Sequence, residues 1–152
     1  AASTPTPAAA PQPKVEPSQA IEAAARAFDA SRFHEALAIL HDAIPHLQGR
    51  ARRTARVWKA RVLLAVENGA RLAEEELKAA IAEDPGNADA HAALGGIYRD
   101  RGSLALAAME YRKTLELQPR NVTAREALQQ MRESATEPPP PPSSVLKRMF
   151  GR

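Results

Sequence analysis

The stretch ADAHAALGGIYRDRGSLALAAMEYRKTLELQPRN, Ala88 to Asn121, decides the fold. Its apolar residues return every three or four positions, the spacing of a helix with one buried face. They do so on both sides of Gly102, and the pattern closes at Pro119, which cannot continue a helix. The same punctuation stands 34 residues earlier, where Asp84-Pro85-Gly86-Asn87 answers Gln118-Pro119-Arg120-Asn121. That offset also maps Ala60 to Leu94, Leu64 to Tyr98, Ala73 to Ala107, Leu77 to Tyr111 and Ala80 to Thr114. One step earlier the offset is 37 and maps Ala36 to Ala73, Leu40 to Leu77 and Ala43 to Ala80, which places three extra residues near Ala51-Arg52-Arg53. A helix–turn–helix unit recurring at this period marks a stacked repeat array.

The spacing predicts six helices in three antiparallel pairs, near 18–30, 33–46, 52–66, 70–83, 88–100 and 104–117. Asn87 and Asn121 stand where N-caps belong, because an Asn side chain accepts an orphan backbone N–H. A seventh helix is expected near 122–134, with Ala124, Ala127, Leu128 and Met131 on one face. It caps the last apolar surface of the array. Gly95 and Gly96 each cost a helix interior roughly 1 kcal/mol relative to Ala. Gly95 is read as the small residue that lets its two helices approach, and Gly102 as the turn. Gly96 falls on the opposite side with neither role.

Composition agrees with an all-α array. Hydrophobic residues are 44% of the 152-residue chain and aromatic ones only 4%, so the core is built from Ala, Leu, Val and Ile. That favours closely packed helices over a β-sandwich. There is no cysteine, hence no disulfide scaffold and no thiolate zinc site. The formal net charge of +3 is mild, and no apolar run is long enough to span a bilayer. Residues 1–17, AASTPTPAAAPQPKVEP, read as a disordered Pro/Ala-rich linker, and 135–144 as a proline-rich spacer. A cytoplasmic, bacterial setting is expected, or a periplasmic or secreted one if Ala1 is a processed terminus.

Ala88 to Asn121 resembles a tetratricopeptide repeat (TPR) throughout: Leu94-Gly95 and Tyr98 in the first helix, Gly102 in the turn, Ala107 and Tyr111 in the second helix, and Leu117-x-Pro119-x-Asn121 at the exit. Thr114 stands where a small Ala is usual. Residues 54–87 match less well, with Arg61 for the family glycine and Asn68-Gly69 at the turn. Residues 17–50 keep Phe33, Ala36, Leu40 and Ala43, but have Ala23-Ala24 for Leu-Gly. The resemblance implies an α-solenoid over 18–134 whose first helices line a concave groove. It resembles the C-terminal arrays of some bacterial multidomain proteins.

On that resemblance the groove residues are Ile21, Ala25 and Phe28, then Trp58, Val62 and Ala65, then Asp89, Ala92, Gly96 and Arg99. Trp58 is either an exposed aromatic anchor or a residue packed between helices. Family members that bind chaperones hold a C-terminal carboxylate with cationic and amide side chains at set positions. Here those positions carry Ile21, Ala25, Lys59, Asp89 and Ala93, of which only Lys59 suits the task. An apolar peptide or a partner helix is therefore the expected ligand.

The segment GRARRTARVWKAR, 49–61, gathers Arg50, Arg52, Arg53, Arg56, Lys59 and Arg61 with no acid among them. It reads as a solvated face or as a patch for an acidic partner. Nucleic acid is disfavoured, since no aromatic residues are interleaved for stacking. Glu74-Glu75-Glu76 reads as a run near a helix start that complements the macrodipole. The segment SSVLKRMFGR, 143–152, would place Val145, Leu146, Met149 and Phe150 on one face of a short helix. It reads as a frayed end, as a docking peptide for a partner or for the chain's own groove, or as a weak membrane-surface contact.

No catalytic constellation stands out. His34-Glu35 begins a zinc-protease-like string, but Ala38 replaces the second His. His34 and His41 lack clustered acids or a third His, and His91 sits at a helix-packing position. The glycines are not a phosphate loop, since no Lys-Ser/Thr follows them. The expectation is a non-enzymatic module for a protein or peptide partner. No cofactor, metal or small-molecule substrate is expected. The alternative is a scaffold whose 145–152 segment docks to a partner or membrane surface.

Overall fold

The computed structural model describes residues 15–136. Within them the chain forms α1 (Ala20–Asp29), α2 (Phe33–Ala43), α3 (Gly49–Leu64), α4 (Ala70–Glu83), α5 (Ala88–Asp100), α6 (Leu104–Leu117) and α7 (Val122–Thr136). Short 3-10 turns, Pro17–Gln19 and Ile44–His46, precede α1 and follow α2. The all-α expectation holds among the described residues. The helix bounds read from the spacing over 70–83, 88–100 and 104–117 coincide with α4, α5 and α6. Helix α7 runs two residues beyond 134, into the stretch assigned to the proline-rich spacer. Residues 1–14 and 137–152 lie outside the described residues, and with them the 145–152 segment.

The pairs α1/α2, α3/α4 and α5/α6 make the closest packings, and each second helix also packs on the next first helix. The turn inside every pair uses the same device. Ser31, Asn68 and Gly102 stand at the 37- and 34-residue offsets, and all three have positive φ: 58°, 58° and 80°. Only Gly adopts that region without a side-chain penalty, so the left-handed turn survives where its preferred residue does not. The exits repeat as well. Asn87 Oδ1 accepts from the Ala90 N–H (3.1 Å) and Asn121 Oδ1 from the Ala124 N–H (3.0 Å), confirming both caps.

The three extra residues do not form a longer loop. Helix α3 begins at Gly49, not near 52, and the connection from the 3-10 turn is only Leu47-Gln48. The insertion is absorbed as an added first turn of helix that carries Arg50, Arg52 and Arg53. Arg52 Nε donates to the Leu47 carbonyl at 2.8 Å, satisfying part of that tight entry.

Two continuous clusters make the core. One joins Ala60, Leu63, Leu77, Leu94, Ile97, Tyr98, Tyr111 and Ala124; the other joins Ala24, Ala27, Leu40, Ile44, Ala55 and Val62. Tyr111 is the largest fully buried side chain, and burial pushes its phenol pKa up. It lies flat against Gly95, where an added Cβ would come within 2.9 Å of Tyr111 Cε1. A Cβ on Gly96 would meet only Tyr111 Oη, at an ordinary 3.8 Å. Thr114 is fully buried with Oγ1 donating to the Glu110 carbonyl at 3.0 Å, so its hydroxyl costs little in an Ala position. His91 is buried between Glu110 Oε2 (Nδ1, 2.7 Å) and the Pro85 carbonyl (Nε2, 3.0 Å). It ties α5 to α6 and to the inter-repeat turn, as its packing position implied.

Repeats two and three are also joined by Glu74. Lys78 Nζ (2.7 Å) and Arg101 (2.8 Å) converge on its carboxylate, and Tyr98 donates to Oε1 at 3.3 Å. The Lys78 hydrogen bond holds the Glu74 carboxyl below its ordinary value. Burial works the other way, and Arg101 adds to the lowering. The acidic run does not sit in the first turn of α4, which begins at Ala70 and has no acid there. Glu76 pairs with Arg56 and Lys59 of α3, Glu74 with Lys78 of its own helix and with Arg101, and Glu75 with Arg71 of its own helix.

Two outcomes are expected. Gly95→Ala overpacks Tyr111 and destabilises by about 1–3 kcal/mol, whereas Gly96→Ala is neutral or stabilising by up to about 1 kcal/mol; thermal melts of the pair measure the difference. A carboxyl whose folded pKa is depressed contributes stability that is present above its unfolded value and lost as pH falls through the folded one. Glu74→Gln should therefore melt below wild type at pH 7, and the gap should close as the pH falls below about 4.

Candidate functional site

Helices α1 and α3, and α3 and α5, touch one another, while α2, α4 and α6 make few mutual contacts. A stack whose first helices are closer together than its second helices bends toward the first, so α1, α3 and α5 form the inner, concave layer. This is the layer that the family resemblance assigned to the groove.

Helix α3 does not sit in that layer as α5 does. At the register where α5 buries Gly95 and Tyr98 (8% exposed), α3 exposes Arg61 and Leu64 (47%). At the register where α5 exposes Asp89 and half-buries Gly96, α3 fully buries Ala55 and Val62 (0%). With 100° per residue, these shifts amount to a rotation of about a third of a turn about the helix axis. Val62 is therefore no groove residue. It packs with Ala55 into the cluster formed by α1 and α2.

The rotation turns the basic stretch toward α4. Lys59 Nζ meets Glu76 Oε1 at 2.6 Å, and Arg56 meets Glu76 Oε2 at 2.9 Å and Glu83 Oε1 at 3.0 Å. Arg53 Nε meets Asp84 Oδ2 at 3.0 Å, and Arg52 reaches toward Glu83. Of the six cations of that segment, Arg50 and Arg61 alone have no ion pair among the described residues. The expected free patch is an internal ion-pair seam between α3 and α4. Lys59, the one residue suited to holding a carboxylate, belongs to that seam.

What α3 turns inward is Thr54, Val57, Trp58 and Arg61. With Asn87 and Asp89 at the start of α5 they line a depression of about 270 Å³. Trp58 is half-buried and meets Phe28 of α1 edge-on, with centroids 6.2 Å apart. The Arg61 guanidinium lies 5.0 Å from the Trp58 ring centre and 5.5 Å from that of Phe28, within range of a cation–π contact. Trp58 packs on Phe28 and also lines the depression. Ile21, Ala25, Ala92 and Gly96 are half-buried, and Ala65, Asp89 and Arg99 are exposed. Arg61 was not among the groove residues read from sequence. The signal was its place at the glycine register, where a guanidinium cannot be packed.

A larger cleft lies elsewhere, over the outer side of α2, lined by His34, His41, His46, Asp42, Ile39 and the Val15–Pro17 entry. Among the described residues, no three His, Asp or Glu side chains gather as metal ligands. No described helix is long and apolar enough to cross a membrane.

No family model matches the chain, and no curated protein matches it in sequence. Solved structures do match in shape. The first TPR domain of Spaghetti (RPAP3), solved with the HSP90 peptide SRMEEVD, superposes with a TM-score of 0.70 at 18% identity, over 81% of this chain and all of that one. The Sgt2 TPR domain of Aspergillus fumigatus gives 0.70 at 19% identity, over 86% of this chain and 89% of its own. The TPR domain of Arabidopsis OM64 gives 0.68 at 21%, over 78% and 95%. The chain has the TPR fold, an α-solenoid of three helix pairs and a capping helix.

Proposed function

We propose that this protein is a non-enzymatic peptide-binding module whose ligand lies along the inner layer and anchors on Trp58. The observation that carries the reading is the depression itself. It is a depression lined by Trp58 together with polar groups of both signs, Arg61 and Asp89. Such a patch, an aromatic anchor with a few orienting polar groups, is what binding hot spots are made of. The fold supports it, since the Spaghetti domain of the same shape holds an HSP90 peptide.

The ligand is not an acidic C-terminal peptide of that kind. Four of the five positions that hold a carboxylate in chaperone-binding members carry Ile21, Ala25, Asp89 and Ala93, and the fifth, Lys59, is held by Glu76 at 2.6 Å. An anion entering there would face Asp89 and gain no free ammonium. The groove suits a segment that is apolar and neutral or basic.

A displayed library of random peptides, selected on the purified chain, tests this. Selected peptides are expected to be apolar, poor in acids, and at least about tenfold weaker on Trp58→Ala, with the variant's melt remaining cooperative. Enrichment of acidic C-terminal sequences, or equal binding by Trp58→Ala, would overturn the proposal.

A further inference from the structure

We propose that the segment Val145–Arg152 of this same chain is a ligand of its groove and occupies the Trp58 depression in cis. The inference rests on the groove reading above and names its first occupant.

Three observations converge. The first is charge. The seam with α4 removes Arg52, Arg53, Arg56 and Lys59 from the inner layer, and Arg99 is paired with Asp100. What remains at the depression is Arg61, lying against the rings of Trp58 and Phe28, and the exposed carboxylate of Asp89. Asp89 makes no ion pair among the described residues. A depression lined by Trp58 with an unpaired carboxylate beside it fits apolar side chains interleaved with cations.

The second is sequence. Val145-Leu146-Lys147-Arg148-Met149-Phe150-Gly151-Arg152 has that composition, with four apolar side chains, three cations and no acid. At helical spacing the four apolar residues share a face and can meet Trp58 while Lys147, Arg148 or Arg152 meets Asp89. So short a helix has no stability of its own in water, which a docking surface supplies.

The third is reach. Helix α7 packs on α6, and packed helices of such a stack lie about 10 Å apart. Eight residues, Glu137 to Ser144, follow Thr136 before the segment, and five of them are proline. In polyproline form they would span about 25 Å at 3.1 Å per residue, more than two such helix-to-helix spacings. A tether of this length gives an effective concentration near 1 mM, so a segment that binds with a Kd of about 100 µM in trans fills about nine grooves in ten in cis. An outside ligand then competes with the segment, and its apparent affinity falls by the fraction of grooves left open.

Trp58 is the only tryptophan, so its fluorescence reports on the depression directly. Acrylamide quenching is compared for the 152-residue chain, for a chain ending at Ser144, and for a Met149→Asp/Phe150→Asp double variant. Removing or spoiling the segment is expected to raise the quenching constant by at least about twofold. Synthetic VLKRMFGR added to the shortened chain should restore protection with a Kd between about 10 µM and 1 mM, and should do little to the longer chain. Asp89→Lys in the shortened chain should weaken peptide binding at least about fivefold. Equal quenching in all three chains, with no effect of the peptide, overturns the inference. So does protection that disappears on dilution from 100 µM to 1 µM, which would assign the segment to a second copy. If the inference fails while library peptides still need Trp58, the groove reading stands; if they do not, both fall.

Discussion

A guanidinium cannot be buried where a glycine belongs, and most of what distinguishes this solenoid follows from that. Arg61 occupies the register at which Gly95 lets α5 close on Tyr111. Packed there it would be a buried charge without a partner, which costs several kcal/mol. Helix α3 turns instead, and the turn rearranges three surfaces together. Val62 and Ala55 move into the core shared with α1 and α2. Arg56 and Lys59 swing onto Glu76 and Glu83. Trp58 and Arg61 come to the inner layer, where they meet Phe28 and the start of α5.

The seam between α3 and α4 is stabilised because its members are shielded. The side chains of Arg56, Lys59 and Glu76 are each less than a quarter exposed, and Glu76 uses both oxygens. Charge-assisted bonds of that kind contribute about 1.5–3 kcal/mol each, well above exposed pairs such as Glu22–Arg26, with both side chains mostly in solvent. In repeat three Tyr111 packs on Gly95; in repeat two Leu77 is buried at the corresponding place in α4, and the seam beside it adds ion pairs between α3 and α4. The seam also decides the electrostatics of the groove, since it withdraws the cations that a carboxylate ligand would need.

Much of this was legible in the sequence. The 34-residue offset set the bounds of α4, α5 and α6, and Asn87 and Asn121 are the caps that their positions implied. Gly95 was legible because a helix glycine must be offset by packing. The rotation of α3 was not, because an offset maps positions along the chain and says nothing about the angle of a helix about its own axis. Val62 and the basic patch were misplaced for that one reason. The clues were present but needed both helices at once: an Arg at the glycine register, and cations at 56 and 59 facing acids at 76 and 83. The insertion read near Ala51-Arg52-Arg53 lengthens α3 at its start, since that stretch carries good helix formers and finds acceptors at Leu47 and Asp84.

The turned α3 is the central claim, and the absence of cysteine makes it directly testable. Single-cysteine variants at Arg61, Leu64 and Val62 are labelled with a thiol reagent under native conditions. With α3 turned, Arg61→Cys and Leu64→Cys react at rates near those of an exposed thiol, and Val62→Cys is protected at least about a hundredfold, as a core site that opens only by unfolding. Fast labelling at Val62 with protection at Arg61 and Leu64 would place α3 in the orientation of α5 and contradict the account.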